Sequence, residues 1–322
     1  MVKEKYNALI IGAGSIGALF DTPQSDKILT HAHVFTKHEG FNLLGFVDTD
    51  MKKTRKALSV WGGKGFNDIE EAFSCGRVDV AVVAVPDDHH YAILKKLSDY
   101  SLRVVFTEKP ITRTLDEAED IIHTFRKRHI GIVVNYSRRF VPEFERIRDD
   151  IQKGLYGDYL SGTGYYGKGI MHNGSHLIDL LRFFVGEIKA TKSVESISDF
   201  YQDDKSISAV ITFENNRHFF LHCIDCRRYT IFECDMLFER KRIRIVDSGF
   251  KVEEFDVLGS EVFKGYRSIV KTAEKVTFLG NSLFNAAENI YNNLTNGQDF
   301  KCTAEDGYKA LQACIKIKES AE

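Results

Sequence analysis

The chain has 322 residues, 43% of them hydrophobic and 12% aromatic, enough apolar material for two domain cores and too much for a disordered chain. Its 44 basic and 46 acidic residues leave a net charge of −2, so no global positive field favours nucleic acid or an anionic membrane surface. No apolar run approaches the roughly 20 residues needed to cross a bilayer, and no charged leader with an apolar core precedes the first strand, so a cytoplasmic location is expected.

In chain order, residues 8–11 form a short apolar run that stops at Gly12. Further runs cover residues 42–47, 78–85, 103–106 and 130–134. Continuous Val/Ile/Leu runs bounded by turn residues suit strands buried on both faces of a parallel sheet. Between them, residues 51–61, 68–75, 89–100 and 115–128 read as helices. Thr114 followed by Glu117 is a capping-box signature for the last of these. The alternation predicts βαβ units and a doubly wound α/β domain over residues 1–135.

The texture changes after Tyr136. Residues 143–153 and 174–185 read as helices, with a Gly- and Tyr-rich segment between them. Strand-like runs follow at 189–197, 206–213, 218–224, 231–238, 242–246 and 251–257, joined by short turns. Successive strands with hairpin-like turns predict a C-terminal α+β domain, residues 136–322, on a largely antiparallel open sheet. Helices at 281–293 and 303–320 close the chain, and the last is expected to return to the first domain. Thr303 is its N-cap, with Asp306 at N3.

Gly12-Ala13-Gly14-Ser15-Ile16-Gly17 is a GxGxxG placed between a buried strand and an expected helix, the context that makes it a dinucleotide fingerprint and the domain a Rossmann fold. Gly12 permits the tight turn, Gly14 leaves room for the pyrophosphate, and Gly17 allows close helix–strand packing. The helix N-terminus, starting at Ser15 and Ile16, is expected to offer N–H groups to the phosphates. Asp48 ends the second strand, where a carboxylate accepts from ribose hydroxyls and repels a 2′-phosphate, favouring NAD over NADP. Asp48 stands farther from Gly17 than the roughly 20 residues usual for such folds. An insertion around residues 21–38 is implied, carrying His31, His33 and His38, and it reads as a polar loop or helix. Six cysteines occur, Cys223 and Cys226 as a CxxC. No second pair follows at zinc-site spacing, so free thiols and no metal are expected.

At Thr107-Glu108-Lys109-Pro110 the chain resembles the glucose-fructose oxidoreductase / inositol dehydrogenase / MocA family. The resemblance extends to Gly12–Gly17, Val85-Pro86-Asp87-Asp88-His89-His90, Asn135-Tyr136-Ser137-Arg138-Arg139-Phe140, His176-Leu177-Ile178-Asp179 and Ala304-Glu305-Asp306-Gly307. It implies cofactor contacts from Val85, Pro86, His90, Glu108 and Lys109, and a homodimer or homotetramer formed through the C-terminal sheet. Oxidising a secondary alcohol moves a hydride from carbon and a proton from oxygen, so a base must stand near the hydroxyl. Lys109, just past a strand at the carboxyl edge where such folds bind ligands, suits that task. In the family this lysine is catalytic, and the resemblance makes His176 its acid/base partner. Asp179, three residues on, would orient the ring or bind a substrate hydroxyl.

One position departs from the family pattern: many members carry aspartate four residues before this histidine, and here it is His172. Tyr165, Tyr166, Lys168, His172 and Asn173 are candidates to line a pocket for a polyhydroxylated or anionic substrate. The implied activity is NAD(P)-dependent hydride transfer to or from a secondary alcohol or ketone of a sugar, cyclitol or sugar derivative, nucleotide sugars included. Two alternatives stay open: transient use of NAD in sugar epimerisation or elimination, and a non-catalytic cofactor-sensing regulator.

Overall fold

The computed structural model describes residues 4–321. They divide into two compact units: one runs to Phe140 and adds Gly280–Tyr308, the other comprises Val141–Leu279 and the chain from Lys309 onward. The expected boundary was 135/136, with only the last helix, about 303–320, returning to the first domain; here the returning segment is Gly280–Tyr308.

The first unit begins with β1 (Tyr6–Ile11), α1 (His31–Lys37), β2 (Phe41–Val47), α2 (Met51–Trp61), β3 (Lys64–Phe66), α3 (Ile69–Ser74), β4 (Val80–Val83), α4 (His90–Leu97), β5 (Val104–Thr107), α5 (Leu115–Arg128) and β6 (Gly131–Val134). The strands form one parallel sheet in the order β3-β2-β1-β4-β5-β6, with β4 and β5 buried at every residue. Burial on both faces explains why these strands read as unbroken apolar runs. The capping box at Thr114 and Glu117 is present, and α5 ends at His129 in the left-handed conformation.

The second unit contains α6 (Pro142–Gln152), β7 (Tyr159–Tyr166), α7 (Ser175–Val185), β8 (Ile188–Ile197), β9 (Ser206–Phe213), β10 (His218–Cys223), β11 (Phe232–Phe238), β12 (Lys241–Val246), β13 (Lys251–Gly259) and β14 (Arg267–Val276). Its sheet runs β14-β13-β12-β11-β7-β10-β9-β8, antiparallel throughout except where β10 pairs with β7. The apolar stripe of α7, with Leu177, Ile178 and Leu181, packs in one core with Ile211, Phe219 and Met236 of the sheet and Cys314 of the last helix. On β10 alternate residues are buried and exposed, so the opposite sheet face carries Tyr165 and Phe220 at the surface. The central strand β7 lies in the segment read from sequence only as Gly- and Tyr-rich. Gly162 and Gly164 look like turn residues, but a side chain at either would strike the ring of Phe219, 2.8 Å from an added Cβ.

The chain then closes with α8 (Ser282–Asn296) and α9 (Ala304–Glu319). Within the first unit α8 is held by Tyr6, whose hydroxyl donates to the Leu294 carbonyl (3.0 Å), and by Asn285, whose amide donates to the Phe140 carbonyl (2.8 Å). Arg139 pairs with Asp306 at 3.0 Å, joining two segments that carry the family resemblance. Among the described residues no helix is long and apolar enough to cross a membrane. The cysteines are free thiols, and Cys223 is buried beside Ser208.

Candidate active site

The three fingerprint glycines hold their places for different reasons. Gly12 has φ +103°, and a Cβ there would sit 2.4 Å from the Ala84 carbonyl oxygen, so the turn out of β1 closes against the end of β4. A Cβ on Gly17 would lie 1.9 Å from the Gly12 carbonyl oxygen. Gly14 differs: its backbone is extended, φ −79° and ψ −158°, and an added Cβ meets nothing within 4 Å. Its missing side chain leaves open space at the carboxyl edge of the sheet, the cradle a pyrophosphate requires, and the residues present fit a dinucleotide.

The expected helix after this turn is corrected. Ser15–Leu19 make a single π-type turn, and regular helix resumes only at His31. A loop carrying Pro23 and anchored by buried Asp21 interrupts it. Asp21 accepts hydrogen bonds from the Leu29 amide (2.6 Å), the Thr30 hydroxyl (2.5 Å) and His33 Nδ1 (2.8 Å). One turn is too short to align a macrodipole, so a long helix N-terminus is not what this turn offers. Of the two forms expected for the histidine segment the helix is present: His31 and His33 lie on α1 and His38 caps it, and all three are buried.

Asp48 follows β2 directly. Its carboxylate accepts from the Ala13 amide (2.8 Å) and from the Asp50 amide (2.8 Å), which ties the acid to the glycine turn. A carboxylate oxygen has two acceptor sites, so both oxygens retain capacity for ribose hydroxyls.

Lys109 stands two residues beyond β5, on the same sheet edge as Gly14, and its peptide bond to Pro110 is cis. Behind it, Glu108 accepts from His31 Nε2 (2.9 Å) and Asn135 Nδ2 (2.7 Å) through one oxygen. Burial works to raise the Glu108 carboxyl. The hydrogen bonds from His31 and Asn135 and the charge of Lys109 outweigh it and hold it below the ordinary carboxylate range. These bonds engage Oε1, so a cofactor contact from Glu108 falls to Oε2 or to its backbone. His90 is likewise a cross-link, with Nδ1 on the Pro110 carbonyl (2.7 Å) and Nε2 on the Val85 carbonyl (3.0 Å). It ties the Val85-Pro86 loop after β4 to the segment after β5, which places it behind the cofactor edge.

In the second unit His176 is the second residue of α7 and half-buried. Asp179 is buried and 3.6 Å from Arg182, so it serves the helix interior instead of presenting a carboxylate to substrate. Tyr166 is also withdrawn from the substrate set. It is fully buried, and its hydroxyl exchanges hydrogen bonds with the Ile207 backbone at 2.7 and 2.9 Å. Tyr165 is exposed and stacks on His222. Asn173 donates to the Gly167 carbonyl (3.0 Å). His172, at the departing position, donates from Nδ1 to buried Asp204 (2.7 Å), a residue the sequence did not single out. His31 and Asn135 were also missed as partners of Glu108. The cluster of histidines was the only signal for the first, and the family motif contained the second.

Residues 6–136 match the model of the GFO_IDH_MocA oxidoreductase family, NAD-binding Rossmann fold. The first unit is thus similar to the NAD-binding domain of that family. Among the chain's relatives are the rhizopine catabolism protein MocA of Rhizobium meliloti, 24% identical over 154 residues, 48% of this chain and 44% of MocA. Another is inositol 2-dehydrogenase of Corynebacterium glutamicum, 26% identical over 159 residues, 49% of this chain and 44% of the enzyme. The chain thus spans about half the length of the curated relatives it matches. The WlbA dehydrogenase of Bordetella pertussis, solved with NADH and UDP-GlcNAcA, aligns with TM-score 0.80 over 100% of this chain and 96% of its own, at 14% identity. At that identity the likeness shows a shared fold along the whole chain.

Proposed function

We propose that the chain is an NAD-dependent dehydrogenase or reductase acting on a secondary alcohol or ketone of a sugar, cyclitol or sugar derivative, nucleotide sugars included. The observation that carries this reading is the placement of Lys109 on the sheet edge where Gly14 leaves open space. A cation beside a dinucleotide cradle is equipped to hold the oxygen of a reacting carbinol. The nicotinamide, when bound, supplies the hydride acceptor or donor. Asp48 sets the preference for NAD by its charge. Lys109 hydrogen-bonds the reacting oxygen and stabilises the negative charge that develops there. The resemblance makes His176 the second proton-transfer group. Glu108, held by His31 and Asn135, balances the charge of Lys109 and fixes the backbone from which it projects.

Activity is tested by NAD reduction with a panel of sugars, cyclitols and nucleotide sugars. Lys109→Ala is expected to lower turnover ~10²–10⁴-fold, the usual loss for a positioned proton-transfer group, with NAD affinity retained. Wild-type turnover in that variant refutes the site. Tight NAD binding with no substrate in the panel favours the cofactor-sensing alternative. Association through the exposed face of the C-terminal sheet, around Tyr165 and Phe220, accompanies this reading. Light scattering that shows a monomer at micromolar concentration rules it out.

A further inference from the structure

The loop between β8 and β9 is clamped at both ends by buried carboxylates that reach back to the turn bearing Lys168 and His172. At one end Asp199 accepts from the Lys168 amide (2.6 Å), the Ser206 hydroxyl (3.1 Å) and the Cys226 amide (3.4 Å). At the other, Asp204 accepts from the amides of Met171 (3.0 Å) and His172 (3.0 Å) and from His172 Nδ1 (2.7 Å). Between the clamps Phe200 stands 58% exposed, edge-on to Tyr201 with ring centroids 4.7 Å apart. Lys168 Nζ lies 4.5 Å from the centre of the Phe200 ring. Tyr201 stacks on His172 at 3.7 Å and 15°.

A loop anchor needs the two aspartates but neither an exposed phenylalanine nor a lysine side chain. Phe200 packs on Tyr201 and Lys168 although it faces solvent. Lys168 has φ +71°, in the left-handed region that glycine occupies without steric cost, and its neighbour Gly169 is there too. A side chain kept at a strained position points to a use for that side chain. The bond to Asp204 engages His172 Nδ1, and Nε2 is the other polar atom of the ring. The His172 side chain is 28% exposed, against 3% for Asp204 behind it.

We propose that Phe200, Tyr201, Lys168 and His172 form a platform that reads the ring of a polyhydroxylated substrate, with Asp204 as the residue that positions His172. The aromatic faces take the C–H face of a sugar or cyclitol ring. His172 Nε2 hydrogen-bonds a ring hydroxyl, and the Lys168 ammonium donates to a neighbouring oxygen. This rests on the reading of the chain as a sugar or cyclitol oxidoreductase, and names where the second unit recognises the ring.

Phe200→Trp places an emitter on the platform against a single native tryptophan, the buried Trp61. The variant is titrated with myo-inositol, D-glucose and UDP-N-acetylglucosamine, and calorimetry on the unsubstituted chain covers failure of the variant to fold. A saturable response to at least one probe is expected. His172→Asn keeps a donor to Asp204 but loses Nε2, and Lys168→Gly relaxes the backbone. Each is expected to weaken binding about ten-fold, one hydrogen bond or stacking contact's worth, and Lys168→Gly to raise Tm as it does so. A probe that turns over with NAD, yet gives no emission change and an unaltered KM in both variants, overturns the platform and leaves the redox reading standing. Saturable binding without turnover upholds the platform and removes the redox reading. Neither binding nor turnover removes both.

Discussion

Replacing Gly14 with alanine separates folding from dinucleotide binding. The new Cβ meets no protein atom within 4 Å, and φ −79° with ψ −158° is open to any L-residue. Two small effects oppose each other: alanine lowers the entropy of the unfolded chain by about 0.4–1 kcal/mol, and it is a poorer residue than glycine at the start of a helical turn, by a similar amount. Net stability should stay within about 1 kcal/mol of wild type, a Tm change of roughly 2–4 °C. The same substitution at Gly12 forces a side chain to φ +103° and 2.4 Å from the Ala84 carbonyl. Strain and overpacking there add to roughly 2–6 kcal/mol. Gly17→Ala, with its Cβ 1.9 Å from the Gly12 carbonyl, falls with Gly12→Ala. NAD affinity should drop at least 100-fold in Gly14→Ala, or about 2.7 kcal/mol, because the methyl group fills the pyrophosphate cradle. Thermal denaturation and calorimetric titration with NAD measure the two quantities on one sample. A Gly14→Ala protein that binds NAD within three-fold of wild type, or that melts as early as Gly12→Ala, refutes the assignment of this turn.

Asp48→Asn retains an acceptor for the Ala13 amide, 2.8 Å away, and is expected to narrow the preference for NAD over NADP about ten-fold or more through lost repulsion of the 2′-phosphate; titration with both dinucleotides checks it. Asp48→Ala should in addition lose about 1–3 kcal/mol of stability, since the buried Ala13 amide is left unpaired. His31→Leu removes one donor from Glu108 and should cost about 1–3 kcal/mol near neutral pH. Because the Glu108 carboxyl is held below its ordinary value of 4.5, that advantage of the wild type is present above this pH. It disappears as acid titrates the folded carboxyl, and a pH series of urea unfolding curves that stay equally separated below pH 4 contradicts it. The combination of Lys109→Ala with His176→Ala should lose less turnover than the product of the single losses, since groups serving one proton transfer are not additive. Strict multiplicativity separates their roles.

Much of the fold was legible because it rests on local requirements. The strands of the first sheet are buried on both faces, so each appears as an unbroken apolar run, and α5 begins and ends at its capping signals. The glycine fingerprint and Asp48 could be placed because a turn that closes against β4 admits no Cβ at Gly12. Less legible was the path from Ser15 to His31, where Asp21 and its three donors replace a continuous helix with an anchored loop. The spacing to Asp48, Pro23 and the Thr30 cap mark a break there, but nothing local shows that Asp21 anchors it.

What the sequence by itself determined, then, was the Rossmann domain, its dinucleotide turn and the lysine after β5, each set by backbone geometry within a few residues. Tertiary structure alone decided which side chains meet. It put β7 at the centre of the second sheet because Gly162 and Gly164 make room for Phe219. It returned α8 to the first unit through Tyr6 and Phe140, buried Tyr166 and Asp179 away from substrate, and brought His31 to Glu108 and Asp204 to His172. These partners lie far apart along the chain, and a polar side chain leaving water takes whichever donor or acceptor the packing of distant elements delivers to it.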